Sequence, residues 1–234
     1  MSEPIKTAVI AGTPVDTQMG VEYIERRMHE AGGEPGFMPL YCPAALDCDE
    51  QVKFQYSDND EKRAIMDNIF DHAIEEGVRD FFIYCNSLSG AFDFDTYAVR
   101  KSIESGADIR IYTPLQVYRR LGCSYGRVGV VAANNLSAHA IEEALMASNP
   151  DIYMIGTGNM AIVRAIEDGL SPEEIVEKCG IAHFLKYAEA CGAEALVLGC
   201  THFPYIKGEV EKLTVLPIID PADEMFDDLL KASR

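Results

Sequence analysis

Two stretches of the chain share one pattern: GVRDFFIYCNS at residues 77–87 and GAEALVLGCTH at residues 192–202. In each stretch a glycine stands eight residues before a cysteine, and an apolar run lies between them. Glycine commonly ends a helix, and a short apolar run bounded by such signals is typical of a buried strand. Each stretch therefore predicts a helix end, a buried strand and a cysteine, Cys85 or Cys200, at the carboxyl end of the strand.

Comparable first strands lie about 70 residues before the two cysteines, at residues 8–12 and 128–132. Apolar residues between the predicted strands recur at helical spacing, most clearly over residues 64–74. Strands that alternate with helices predict α/β architecture with parallel sheets. Because the pattern occurs twice, we predict two pseudo-symmetric α/β lobes, each a parallel sheet flanked by helices, with the active site in the cleft between them.

The composition of the chain is that of an ordinary globular protein, and its charge disfavours some classes of partner. The chain has 234 residues, of which 48% are hydrophobic and 25% charged, so it is long enough for one large or two modest domains. The net charge is −18 and no run of Lys or Arg occurs, which disfavours nucleic acid and anionic membranes as partners. The chain shows no long apolar segment and no basic-then-apolar start, so we expect a cytoplasmic protein.

The seven cysteines are odd in number and widely scattered, which predicts free thiols and no structural zinc site. Free cysteine often behaves as a small buried hydrophobe, and this interpretation suits Cys123, Cys179 and Cys191. For Cys85 and Cys200 we favour a functional interpretation, because both end strands and ligands of open parallel sheets gather at the carboxyl ends of strands.

Short polar residues follow both strand-end cysteines, Asn86-Ser87 after the first and Thr201-His202 after the second. Their side chains and backbone amides are suited to hold an anion, and the same field stabilises a thiolate. A thiolate serves as a base or a nucleophile near neutral pH, and His202 is placed to assist Cys200.

Two motifs carry a family resemblance. Tyr84-Cys85-Asn86-Ser87 and residues 198–204, LGCTHFP, resemble the two signature motifs of the aspartate/glutamate racemase superfamily, the second motif in its glutamate racemase form. The resemblance implies an isomerase that needs neither pyridoxal phosphate nor a metal. One cysteine, as thiolate, would remove the α-proton, and the other, as thiol, would reprotonate the opposite face, as inversion requires.

The resemblance also implies a division of the chain and further site residues. It places the first lobe at residues 1–115 and the second at 116–204, and it returns the C-terminal helix, residues 205–234, to the first lobe. Asp16 would orient or tune Cys85, and polar residues after strands would bind the substrate. The expected catalytic residues are Cys85, Cys200, Asp16 and His202, and the expected substrate-binding residues are Thr13, Asn86, Ser87, Thr113, Asn134, Asn135 and Thr201.

The substrate stays open between aspartate and glutamate, because the segment 12–20, GTPVDTQMG, departs from the Asp-Ser-Gly pattern of glutamate racemases. Typical aspartate racemases place Glu where this chain has His202. A homodimer remains an option. Two other functions stay open: a maleate cis-trans isomerase-like enzyme of the same superfamily, and a catalytically idle binding protein. Arylmalonate decarboxylases are disfavoured because they lack the first cysteine.

Overall fold

The structure is a computed structural model that describes residues 4–31 and 37–232. The chain forms two compact units, one containing the residues up to Pro114 together with those from Ala222 onward, the other containing Leu115–Pro221. Each unit holds a four-stranded parallel sheet. Within the described residues, no helix is both long and apolar enough to cross a membrane.

The first unit alternates strands and helices. In chain order its elements are β1 (Ile5–Ala11), α1 (Pro14–Glu30), β2 (Phe37–Pro43), α2 (Cys48–Tyr56), α3 (Asn59–Glu75), β3 (Asp80–Ile83), α4 (Asn86–Ala91), α5 (Phe94–Ser105) and β4 (Arg110–Tyr112). The strand order is β2-β1-β3-β4, with Ile10 paired with Cys42 on one side and with Ile83 on the other. Residues 8–11 and 80–83 are buried, as expected for strands with both faces covered.

The second unit repeats this plan. Its elements are α6 (Pro114–Leu121), β5 (Arg127–Ala132), α7 (Asn135–Met146), β6 (Tyr153–Gly158), α8 (Met160–Glu167), α9 (Pro172–Lys178), α10 (Ile181–Ala190), β7 (Ala195–Gly199), α11 (Lys207–Glu211) and β8 (Ile218–Ile219). The strand order is β6-β5-β7-β8, which matches the first unit position by position. Two parallel sheets with flanking helices confirm the predicted fold class.

The C-terminal helix, α12 (Pro221–Ala232), belongs to the first unit. Asp223 of α12 accepts a hydrogen bond from the Tyr23 hydroxyl at 2.7 Å and forms an ion pair with Arg27. Near the other end of the helix, an Arg110 guanidinium nitrogen donates to the Ala232 carbonyl at 2.7 Å. These contacts attach α12 to α1 and to β4.

The division of the chain differs from the sequence-based boundaries by one residue at Leu115, which lies in the second unit, and by a longer segment near the C-terminus. Residues 205–221 lie in the second unit, and the return to the first unit begins at Ala222. The physical reason is strand pairing, because Ile218 and Ile219 of β8 pair with Leu196 and Val197 of β7. A two-residue strand has no periodicity of its own, so the sequence offered no signal for it.

A glycine ends the helix before each cysteine-bearing strand. Gly77 follows α3 with φ +89°, and Gly192 follows α10 with φ +80°. The next residue in each case donates its N–H to a carbonyl five residues earlier, at 2.9 Å from Val78 and 3.0 Å from Ala193. This is the Schellman helix ending, which requires a left-handed residue and turns the chain directly into the strand.

We expect Gly77→Ala to lower the free energy of unfolding by about 1–2 kcal/mol, the cost of a left-handed conformation for a residue with a Cβ. A Cβ at this position has no neighbour within 4 Å, so the cost is conformational rather than steric. Gly77→Asn is the matched control, because asparagine adopts this conformation more readily. Urea denaturation followed by circular dichroism measures the stability of both variants. Equal midpoints for wild type and Gly77→Ala would show that the left-handed conformation at residue 77 carries no such cost.

Candidate active site

Cys85 lies just beyond the carboxyl end of β3 and forms the N-cap of α4. Its backbone is extended (φ −163°, ψ 117°), and its side chain is 3% exposed. The Leu88 N–H donates to Cys85 Sγ at 3.5 Å, and the Ser89 hydroxyl donates to the Cys85 carbonyl at 2.7 Å. The predicted place of this cysteine, at the end of a buried strand, is therefore confirmed.

Gln51 of α2 makes a second contact with the thiol. Its side-chain Nε2 donates a hydrogen bond to Cys85 Sγ at 3.3 Å. An N–H donor stabilises the thiolate form of a cysteine more than the thiol form, because it interacts with the negative charge. Gln51 was not among the residues predicted from the sequence, where its one signal is its place in a segment after the carboxyl end of β2.

Thr13 and Asp16 form a capping box at the start of α1. The Asp16 carboxylate, 1% exposed, accepts from the Thr13 N–H (2.6 Å), the Thr13 hydroxyl (2.9 Å) and the Gly12 N–H (3.2 Å). The Asp16 N–H returns a bond to the Thr13 hydroxyl at 3.4 Å. These two residues therefore stabilise the turn after β1, and their roles toward Cys85 and the substrate stay predictions.

Three further candidates of the first unit are buried polar residues that follow strands. Asn86 and Ser87 are the first two residues of α4, and Thr113 follows β4. Their exposed fractions are 3%, 6% and 3%, respectively. Each lies at the carboxyl edge of the sheet, as predicted, and their contact with substrate stays a prediction.

In the second unit, Cys200 contacts a histidine, which in turn contacts a glutamate. Cys200 follows β7, and its Sγ lies 3.6 Å from Nδ1 of His202, whose side chain is buried. The other ring nitrogen, Nε2, lies 3.3 Å from Oε1 of Glu167, the last residue of α8. The contact with the carboxylate orients the imidazole, and an imidazole at this distance from a thiol is a group that can exchange a proton with it.

Glu167 was not among the residues predicted from the sequence. It lies 35 residues from His202, at the end of an amphipathic helix, where an acidic residue usually faces solvent. Thr201, between Cys200 and His202, is buried, and its predicted contact with substrate is untested by the structure.

Tyr118 of α6 is fully buried in the second unit. Burial raises the pKa of its hydroxyl well above the ordinary value, and the negative charges of Asp220 and Cys200 raise it further. The Tyr118 hydroxyl therefore stays protonated when the nearby thiol ionises. This residue, too, was absent from the sequence-based candidates.

Asn134 and Asn135 hold the turn after β5. The Asn134 side chain caps α7 by accepting from the Ser137 N–H at 2.9 Å. Asn135 Oδ1 accepts from the Gly158 N–H at 3.2 Å, and a Cβ on Gly158 would overlap the Asn134 backbone. Both asparagines thus have structural roles, and their predicted contacts with the substrate carboxylate remain to be tested.

All seven cysteines are free thiols, and Cys85 and Cys200 are the two that are buried. Of the three cysteines interpreted as structural, Cys123 is exposed, whereas Cys179 and Cys191 are half-buried. Burial raises the pKa of Cys179. Over residues 4–31 and 37–232, no group of three or more His, Cys, Asp or Glu side chains is placed to hold a metal ion.

The sequence is similar to glutamate racemases. It is 23% identical over 168 residues to the glutamate racemase of Acidothermus cellulolyticus, a match that covers 70% of this chain and 61% of that protein. The match to the glutamate racemase of Neisseria meningitidis, 25% identical over 143 residues, covers 59% of this chain and 50% of that protein. The chain thus matches between half and about three-fifths of the length of these curated relatives. No protein-family model matches.

The fold is similar to that of solved racemases. Glutamate racemase from Francisella tularensis, solved in complex with D-glutamate, superposes with a TM-score of 0.74 at 19% identity, over 97% of this chain and 80% of that chain. An aspartate racemase from Picrophilus torridus gives a TM-score of 0.63 at 12% identity, over 98% of this chain and 94% of that chain. The chain is therefore similar to glutamate racemases in sequence and to glutamate and aspartate racemases in fold.

Proposed function

We propose that the protein is a cofactor-independent racemase that interconverts the L and D enantiomers of aspartate or glutamate. The observation that carries the proposal is the matched placement of two buried cysteines. Each follows the third strand of a sheet with the same strand order, and each strand is preceded by a helix-ending glycine. A pair of equivalent thiols is what a reaction with two mirror-image substrates requires.

The proposed reaction has two proton transfers. One thiolate takes the α-proton from one face of the substrate, which leaves a planar carbanion and a thiol. The other thiol then donates its proton to the opposite face and becomes a thiolate. The opposite enantiomer reacts with the two roles exchanged, and no net proton or electron is gained or lost.

The neighbours of each sulfur support these roles. The Leu88 N–H, at 3.5 Å from Cys85 Sγ, favours the thiolate of Cys85. His202, at 3.6 Å from Cys200 Sγ and backed by Glu167, supplies a group that accepts or donates a proton beside Cys200.

The names of the relatives support the proposed substrate class, since they are glutamate racemases and, among solved structures, an aspartate racemase. We propose that the polar residues after the strands bind this acidic amino acid, namely Thr13, Asn86, Ser87, Thr113, Asn134, Asn135 and Thr201. A maleate cis-trans isomerase-like activity and a binding protein without catalysis have no comparable support. A cytoplasmic location, supported by the seven free thiols, and a homodimer are retained as proposals.

The proposal predicts exchange of the α-hydrogen of aspartate or glutamate with solvent deuterium. Each enantiomer is incubated in D₂O with the purified protein, and mass spectrometry with chiral chromatography follows label and configuration together. Label in both enantiomers supports racemisation. Binding without label would indicate the idle binding protein, and conversion of maleate without amino-acid exchange would indicate the isomerase.

Replacement of either thiol should abolish racemisation while sparing a one-sided reaction. We expect Cys85→Ser and Cys200→Ser each to lose about 100-fold to 10,000-fold in racemisation rate, the usual contribution of a positioned proton-transfer group. Elimination from a substrate with a leaving group on the β-carbon needs one base, so each variant should retain it for a different enantiomer. The measurement is single-enantiomer kinetics on variants shown by circular dichroism to be folded.

Cys123→Ser is the matched control, because the Cys123 thiol is exposed and donates only to the Ser148 carbonyl among the described contacts. Its racemisation rate should equal that of wild type. A folded Cys85→Ser or Cys200→Ser protein that racemises at the wild-type rate would show that this thiol is not an obligatory base.

Glu167→Gln should slow the steps that depend on Cys200. The substitution keeps the shape of the side chain at 3.3 Å from His202 but removes the carboxylate charge beside the imidazole. A hydrogen bond to a charged group contributes about 1.5–3 kcal/mol, so we expect a loss of about tenfold to hundredfold in kcat. The loss should differ between the L-to-D and D-to-L directions, measured with each pure enantiomer.

Glu143→Gln is the control for this prediction. Glu143 lies 3.6 Å from His139 on the surface of α7. The control substitution therefore removes the same kind of charge from an exposed glutamate–histidine pair. Equal rates for Glu167→Gln and Glu143→Gln would remove Glu167 from the mechanism.

A further inference from the structure

We propose that Gln51 is a positioning residue that stabilises the thiolate of Cys85, and that Gly12 is required because it leaves room for the Gln51 amide. The effect on the thiol is a property of the first unit alone. Its consequence for catalysis rests on the proposed racemase function.

The contact itself has the geometry of a hydrogen bond to sulfur. Gln51 Nε2 lies 3.3 Å from Cys85 Sγ, and the Leu88 N–H lies 3.5 Å from the same atom. Because Cys85 is only 3% exposed, little water reaches the sulfur to solvate a negative charge. Protein N–H donors must therefore supply that solvation, and a donor on a side chain can be removed by substitution.

The start of α2 is held so that Gln51 has a defined position. The Asp47 side chain accepts from the Glu50 N–H at 2.9 Å, and the Glu50 side chain accepts from the Leu46 N–H at 3.0 Å. The Gln51 N–H donates to the Asp47 carbonyl at 3.0 Å. Caps of this kind fix the first turn of a helix, which is the turn that carries Gln51.

The loop before α2 is attached to the end of β1. The Ala44 N–H donates to the Ala11 carbonyl at 2.9 Å, and the Ala45 N–H donates to the Gly12 carbonyl at 3.0 Å. These bonds join the two residues after β2 to the last residue of β1 and to Gly12. They place the segment that leads into α2 directly against Gly12.

Gly12 has no side chain where Gln51 lies. A Cβ on residue 12 would overlap Cδ and Nε2 of Gln51 and come within 2.8 Å of its Cγ. The Gly12 N–H is held by the Asp16 carboxylate at 3.2 Å, whereas the atoms that the new Cβ would meet belong to the far end of the long Gln51 side chain, which rotates about several single bonds. A methyl group at position 12 should therefore displace the amide from the sulfur rather than move the backbone.

The test measures the reactivity of the Cys85 thiolate directly. Iodoacetamide alkylation of the Cys85 peptide is followed by mass spectrometry as a function of pH, in full-length protein without substrate. Gln51→Met preserves the length of the side chain and removes the donor. We expect the midpoint of the alkylation profile to rise by about one pH unit, so that the rate at neutral pH falls about tenfold. Gln51→Glu should raise it at least as far, because a carboxylate repels the thiolate.

Gly12→Ala tests the second half of the proposal. We expect Gly12→Ala to raise the midpoint of the alkylation profile as Gln51→Met does. The double variant Gly12→Ala/Gln51→Met should shift the midpoint no further, because both substitutions remove the same contact between Gln51 and Cys85. Gln18→Met is the matched control, since Gln18 donates only to exposed Glu22 among the described contacts. Its midpoint should equal that of wild type.

An unchanged midpoint in folded Gln51→Met would overturn the role of Gln51, and additive shifts in the double variant would overturn the role of Gly12. Failure of the proposed function is a separate outcome. If the midpoint rises but wild type exchanges no α-hydrogen, the thiolate assignment stands and racemisation is wrong. If wild type racemises and the midpoint does not move, racemisation stands and the role of Gln51 is wrong.

Discussion

Parallel pairing between a first strand and a cysteine-bearing strand is the constraint on which each unit depends. In the first unit Ile10 pairs with Ile83, and in the second Ala132 pairs with Gly199. Because the paired strands run in the same direction, the loops that follow them emerge at one edge of the sheet. Cys85 therefore lies beside Gln51, 34 residues away in the chain, and His202, next to Cys200, contacts Glu167, 35 residues away.

The two thiols occupy equivalent places but have different surroundings. Cys85 Sγ accepts hydrogen bonds from the Leu88 backbone N–H and the Gln51 side-chain amide. Cys200 Sγ instead lies next to His202, which contacts Glu167. Amide groups stabilise a negative charge without exchanging protons, while an imidazole takes up or releases one. The pseudo-symmetry thus extends to the backbone and not to the groups that control each sulfur.

Residues at the strand ends also hold the backbone together. Thr13 and Asp16 cap α1, and Asn134 caps α7, through the same oxygen atoms that suit a binding site. A helix start leaves N–H groups without partners inside the helix, so these residue types are needed there in any α/β protein. Such a residue after a strand marks the carboxyl edge of the sheet, where a helix cap and a ligand contact call for the same residue types.

The sequence by itself determined the alternation of strands and helices, the helix endings at Gly77 and Gly192, and the strand-end position of both cysteines. These features depend on periodicity and on local backbone conformation, which a few neighbouring residues decide. Only the tertiary structure decided that Gln51 reaches Cys85 across 34 residues and that Glu167 reaches His202 across 35. It also decided that residues 205–221 join the second unit. The reason is physical: such contacts depend on how helices pack and strands pair at long range, and no local pattern encodes that packing.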